Sequence, residues 1–182
     1  PGLYKRIVDE MLVELNLLNH QNEFTQDDLF CVGLAETFKE LTKGYKPEEH
    51  LGLLFDSLCN SSNFEPQKIK EISKKTLEDY KEKTLIEISN LLKEKNNSNL
   101  YSSRILNLGI YLIIANATDF SGINESEKNK AISEIITNLN LSLTKAEKDI
   151  GIYKSSIIKM QQAKELLEEA RTKEKKKMKE KN

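Results

Sequence analysis

The sequence is short of the residues that usually do chemistry. It has two histidines, two cysteines and no tryptophan. His20 and His50 belong to no His-Glu-x-x-His or Glu-x-x-His pattern, so neither a zinc protease nor a di-iron bundle is written here. Cys31 and Cys59 form no Cys-x-x-Cys pair, and two cysteines cannot make a disulfide framework. Each sits among apolar residues at helical spacing, so the expectation is two reduced, buried thiols in a reducing compartment. No glycine-rich phosphate loop and no Gly-x-Ser-x-Gly elbow occurs. The expectation is therefore no metal, no cofactor and no catalytic residue.

Breakers are scarce too: seven glycines and three prolines in 182 residues, of which 31% are charged. That balance fits a helical protein. Strand-like alternation and internal repeats are missing. Long apolar runs are missing with one exception, Ile105 to Ala117, which is uncharged and apolar all round a helix. Such a helix is buried in lipid or in a protein core. Thirteen residues rise about 20 Å, short of the roughly 30 Å hydrocarbon slab, and Asn107 and Asn116 also disfavour lipid. The expectation is a core helix, the least exposed part of the chain, with no transmembrane segment. No signal peptide is visible. Because the sequence starts at Pro1 rather than methionine, residues are expected to precede it in the natural chain.

Charge is balanced overall at −1 but unevenly placed. Residues 1–65 carry five basic and twelve acidic side chains, a net of −7, whereas 171–182 carry seven basic and two acidic, a net of +5. The basic tip could meet an acidic partner or anionic lipid head groups. No aromatic is interleaved with its lysines to stack on bases, so nucleic acid is not an expected partner.

In chain order, Leu3, Ile7, Met11, Leu15 and Leu18 make an amphipathic stripe. After a polar break, Thr25, Asp27 and Asp28 read as cap and first turn of a helix through Phe30, Leu34, Phe38 and Leu41. Gly44 ends it. Pro47, Glu48 and Glu49 read as the first turn of the next helix, burying Leu51, Leu54, Phe55 and Leu58. The two acidic pairs thus have a helix-start explanation without catalysis. One longer helix is expected from Pro66 through Leu92, then a loop over 95–99, the apolar helix, and a short helix holding Ala131, Ile132, Ile135, Ile136 and Leu139. Thr144 with Glu147, or else Ser142, caps the last helix. Its heptad seam runs Leu143, Ala146, Ile150, Tyr153, Ile157, Met160, Lys164, Leu167, Arg171 and Glu174, turning charged at the end. The reading is all-α: a bundle over 1–140 around the helix at 105–117. A long C-terminal helix over 141–182 has its first part packed and its basic tip projecting.

Certain stretches resemble a known family. Leu-Tyr-Lys-Arg-Ile-Val-Asp-Glu-Met-Leu-Val-Glu-Leu-Asn-Leu-Leu (3–18) resembles the opening helix of the thylakoid-formation family, also called photosystem II biogenesis protein twenty-nine. The segment from Asp27 through Cys59, with Gly-Tyr-Lys-Pro-Glu-Glu (44–49) inside it, resembles its most recognisable block. Tyr-Ser-Ser-Arg (101–104) and Leu-Asn-Leu-Ser-Leu-Thr-Lys-Ala-Glu-Lys-Asp-Ile-Gly-Ile-Tyr (139–153) resemble later signatures. The likeness covers nearly the whole chain in order and is closer to cyanobacterial than to plastid members; the Lys/Asn/Ser-rich linker at 93–99 departs from it. The resemblance implies an all-helical, non-enzymatic protein at the cytoplasmic (stromal-equivalent) face of the thylakoid membrane, soluble or peripheral. It implies a role in photosystem II biogenesis and repair through association with FtsH membrane proteases, and with photosystem II components indirectly. The alternative is a membrane-remodelling or vesicle-associated structural protein using the basic helix. Candidate partner-contact residues are Tyr45, Glu48, Glu49, Arg171, Lys175, Lys176 and Lys177.

Overall fold

Two glycines, Gly33 and Gly109, set the centre of the molecule. The computed structural model describes residues 2–95 and 100–179, with the backbone alone for Leu3, Leu167, Arg171 and 174–179. Within these the chain forms α1 (Gly2–Asn19), α2 (Asp28–Thr42), α3 (His50–Ser61), α4 (Pro66–Tyr80), α5 (Leu85–Glu94), α6 (Arg104–Ala115), α7 (Glu125–Asn138) and α8 (Leu143–Lys179). No strand occurs among the described residues. The fold is all-α, as the composition predicts.

The apolar run becomes α6, which packs most extensively on α2. A Cβ built on Gly33 would lie 1.9 Å from the Ile105 carbonyl oxygen, and one on Gly109 would lie 2.0 Å from that of Leu29. The contact is reciprocal: the Cα–H of each glycine faces a carbonyl oxygen one turn before the other glycine. Close backbone approach of this kind brings Cα–H···O contacts that only glycine permits. Ile105 to Ile110, Ile113 and Ile114 are buried, while Tyr111, Leu112 and Ala115 are half-buried and Asn116 is exposed. α2 shares the deep position, with Leu29 through Leu34 all buried.

α2 divides the interior. Its Phe30, Cys31, Leu34 and Phe38 join a cluster with Met11, Leu15 and Leu18 of α1, Phe55 and Leu58 of α3, and Ile69 of α4. Its Leu29, Val32 and Leu41 join a second cluster built on α6, with Ile88 and Leu92 of α5, Ile135 and Ile136 of α7, and Ala146, Ile150 and Tyr153 of α8. Burial of this much apolar surface is the main force holding a helical bundle together.

Local signals explain the helix ends. The Asp27 side chain accepts from the Phe30 amide and the Ser103 side chain from the Leu106 amide. Ser142 caps α8: its Oγ accepts from the Lys145 amide at 3.4 Å and its carbonyl from the Ala146 amide at 3.0 Å. Thr144 lies inside the helix.

The structure corrects two sequence expectations. The helix expected over 66–92 is two helices, because Glu82 takes a positive φ of 58° and Thr84 starts α5 with a full capping box. Thr84 Oγ1 accepts from the Glu87 amide, Glu87 accepts from the Thr84 amide at 2.7 Å, and Asp119 accepts from the Leu85 amide at 2.9 Å. Pro47, Glu48 and Glu49 are not the first turn of α3. They form a turn before it, with His50 and Leu51 donating three residues back to Pro47 and Glu48. The Lys46–Pro47 peptide is cis. Of the 95–99 loop, residues 96–99 lie outside the described residues. No described helix is long and apolar enough to cross a membrane.

Candidate partner-binding groove

Gly44 makes the corner that ends α2. It takes φ of +87°, a left-handed conformation that a side chain disfavours. The Tyr45 amide then donates back to the Thr42 carbonyl at 3.0 Å, which swings Tyr45 towards the start of α1. There the ring meets Tyr4 edge-on, 5.3 Å between centroids at 90°, a favoured aromatic geometry. Burial pushes the Tyr4 hydroxyl above its ordinary pKa.

The third wall comes from α8. A Cβ on Gly44 would lie 2.7 Å from Lys164 Cε and 3.0 Å from its Nζ, so the lysine occupies the space that the missing side chain leaves. Together these walls enclose a groove of about 470 Å3, with Val8 of α1 and Leu54 of α3 among its lining residues. Its charged members are Lys5, Asp9, Lys46, Lys164 and Glu168. Lys5 pairs with Asp9 at 2.5 Å and Lys46 with Glu48 at 3.5 Å. Lys164 is half-buried and makes no ion pair with a described residue; Glu168 is exposed on the rim.

Of the residues singled out in the sequence, Tyr45 lines this groove. Glu48 sits outside it as the partner of Lys46, and Glu49 is exposed. The side chains of Arg171, Lys175, Lys176 and Lys177 lie outside the described residues. The structure adds Tyr4, Val8 and Lys164 to the contact residues expected from the sequence. The available signal for Lys164 is its seam position: a cation where the heptad calls for an apolar residue. Tyr4 and Val8 stand four apart beside the α1 stripe.

A second polar cluster lies where α1, α2, α6 and α8 meet. Arg104 donates Nε–H to Glu14 at 2.7 Å, and Asn107 donates to Asp149 at 2.8 Å. Burial pushes the Glu14 carboxyl up, with Arg104 pulling the other way. Thr37 Oγ1 and Asn107 Oδ1 have no hydrogen-bond partner among the described residues. The adjoining cavity is about 50 Å3, room for water but far below the roughly 300 Å3 of an ordinary ligand site. Both inner carboxylates are committed to neighbouring side chains, which gives the cluster a helix-joining role.

The remaining candidates fall into place. Cys31 and Cys59 are buried free thiols, each pushed up to about 12 chiefly by burial, so neither is a ready nucleophile. His20 and His50 are exposed. No group of three histidine, cysteine or acidic residues among the described residues could hold a metal ion.

Comparison with known proteins places the chain. The family model described as "Thylakoid formation protein" matches residues 1–182. Protein Thf1 of Prochlorococcus marinus subsp. pastoris (strain CCMP1986 / NIES-2087 / MED4) is 81% identical, over 98% of this chain and 89% of that protein. Protein Thf1 of Prochlorococcus marinus (strain MIT 9312) is 69% identical, over 97% and 88%. The solved structure of Psb29 at 1.55 Å aligns with a TM-score of 0.79 and 25% identity, covering 96% of this chain and 88% of that one. The all-helical architecture, the resemblance carried by the opening helix and the Gly44 corner, and a family match from first residue to last agree: this chain belongs to the thylakoid formation protein family.

Proposed function

We propose that this protein is a non-enzymatic accessory factor for photosystem II biogenesis and repair and for thylakoid formation, acting by association with FtsH membrane proteases. The observation that carries this reading is the match of the family model over the whole chain. The likeness to the solved Psb29 structure supports the same role through the shared fold. The groove described above is walled by tyrosines, lysines and apolar side chains, a lining that suits protein contact. The protein works at the cytoplasmic (stromal-equivalent) face of the thylakoid membrane, soluble or peripheral, and meets photosystem II components through the protease.

The test is co-purification. Tagged protein expressed in a cyanobacterium and isolated from gently solubilised thylakoids is expected to bring FtsH with it. It should also raise the level of FtsH relative to a deletion strain. Recovery of the intact protein with another assembly factor and without FtsH overturns the FtsH association.

A further inference from the structure

The groove at the Gly44 corner holds three lysines, and one of them makes no ion pair with a described residue. Lys5 and Lys46 each hold an acid of this chain. Lys164 is half-buried against the bare backbone of Gly44 and has no described carboxylate within ion-pair reach, Glu168 standing on the rim four residues on. Beside it stand the edge-to-face rings of Tyr4 and Tyr45, with Val8 and Leu54 also lining the groove. A fixed ammonium next to apolar surface is complementary to a carboxylate that travels with an apolar side chain.

We propose that this groove is the docking site for an acidic peptide segment of a partner protein. An apolar side chain lies against Tyr4 and Tyr45, and a neighbouring glutamate or aspartate pairs with Lys164. The half-buried seat of Lys164 beside the two rings selects the occupant. Binding to an anionic membrane draws on several free basic residues acting together. Here one lysine lacks an ion pair among the described residues, and Asp9, Glu48 and Glu168 balance the three lysines, so the groove offers no dense positive field to a phosphate-rich surface. One carboxylate fits; a phosphate-rich face does not. Gly44 acts as a positioning residue, because any side chain there displaces the Lys164 ammonium.

The proposal rests on the reading of this chain as a partner-binding protein, and it does not require that the partner be FtsH. The test is therefore made on the intact chain without FtsH. The probe is the blocked peptide acetyl-Gly-Leu-Phe-Glu-Gly-amide, titrated to millimolar concentration and followed by amide NMR shifts. The expected result is perturbation centred on Val8, Thr42, Gly44, Tyr45 and Leu54. Replacing the peptide's Glu by Gln, and separately making Lys164→Gln, should each weaken binding at least fivefold. The Gln peptide leaves the protein untouched, so a folding defect cannot imitate the result.

Equal binding of the Glu and Gln peptides overturns the proposal, as does perturbation elsewhere on the surface. Two other occupants are checked in parallel. Groove shifts produced by phosphatidylglycerol vesicles but not by the peptide assign the site to lipid. A concentration-dependent dimer abolished by Tyr45→Ala assigns it to a second copy. Peptide binding with no FtsH in the thylakoid isolate keeps the groove and removes FtsH as partner; the converse removes the groove alone.

Discussion

Gly33 and Gly151 are both helical glycines, yet they answer opposite needs. Alanine is better than glycine in a helix by about 1 kcal/mol. At Gly151 nothing lies within 4 Å of a new Cβ, so Gly151→Ala should stabilise by roughly 0.5–1 kcal/mol. At Gly33 the same methyl would sit 1.9 Å from a backbone oxygen that cannot move without shifting α6. Gly33→Ala, and likewise Gly109→Ala, should cost about 3 kcal/mol or more, at the top of the overpacking range. Urea unfolding of the three variants checks both signs. Glu14 adds a pH dependence. Its carboxyl is raised above its ordinary 4.5 by burial, so the folded state holds the proton more tightly than the unfolded chain does. The associated stability is fully present below pH 4.5 and is lost as pH rises through the raised value. The unfolding free energy of the wild type relative to Glu14→Gln should therefore fall across that window, and equal slopes for the two chains would contradict this.

Helices differed in how openly their ends were written. Asp27 and Gly44 mark the two ends of α2 in the sequence because each signal is local: an acid before an apolar run and a glycine after it. Their roles follow from side-chain chemistry and backbone freedom alone. The break before α5 was just as local. Thr84 and Glu87 form the Thr-x-x-Glu box that Thr144 and Glu147 only imitate, but the apolar stripe of α4 continues in phase across it and hides the stop. Thr84→Ala should cost about 1 kcal/mol in thermal or urea unfolding, whereas Thr144→Ala should lie within about 0.5 kcal/mol of wild type. What no pattern in the sequence carried was the pairing of distant residues. Gly33 meets Gly109, Asn107 meets Asp149, and Tyr4 meets Tyr45 only through the tertiary fold. The groove was legible in part for the same reason: Tyr45 stood out beside its glycine, while Lys164 needed the third wall to have meaning.

Across the whole molecule, the two thiols report on a single structure. Cys31 and Cys59 belong to the same interior cluster, and both are inaccessible and strongly disfavoured as thiolates. Neither should react with Ellman's reagent in the native protein at pH 8, and both should react at once in 6 M guanidinium chloride. In intermediate urea their modification should follow the loss of helix measured by circular dichroism. Modification well ahead of that transition would mean that the α1–α4 cluster opens independently of the rest.

The double-faced burial of α2 also bears on the order in which the protein is made. Nearly all of the cluster that holds Cys31 comes from residues between Met11 and Ile69, with Ile105 as the late addition. A ribosome that has released the first four helices has supplied almost every member of that half. The opposite side of α2, with Leu29, Val32, Gly33 and Leu41, shares its cluster with Tyr80, Ile88 and Leu92 of α4 and α5 but lacks its main cover until α6 is synthesised. For that interval the nascent chain carries a partly covered apolar strip. Arrival of one short helix, apolar from Ile105 onward and seated glycine against glycine, completes the cover.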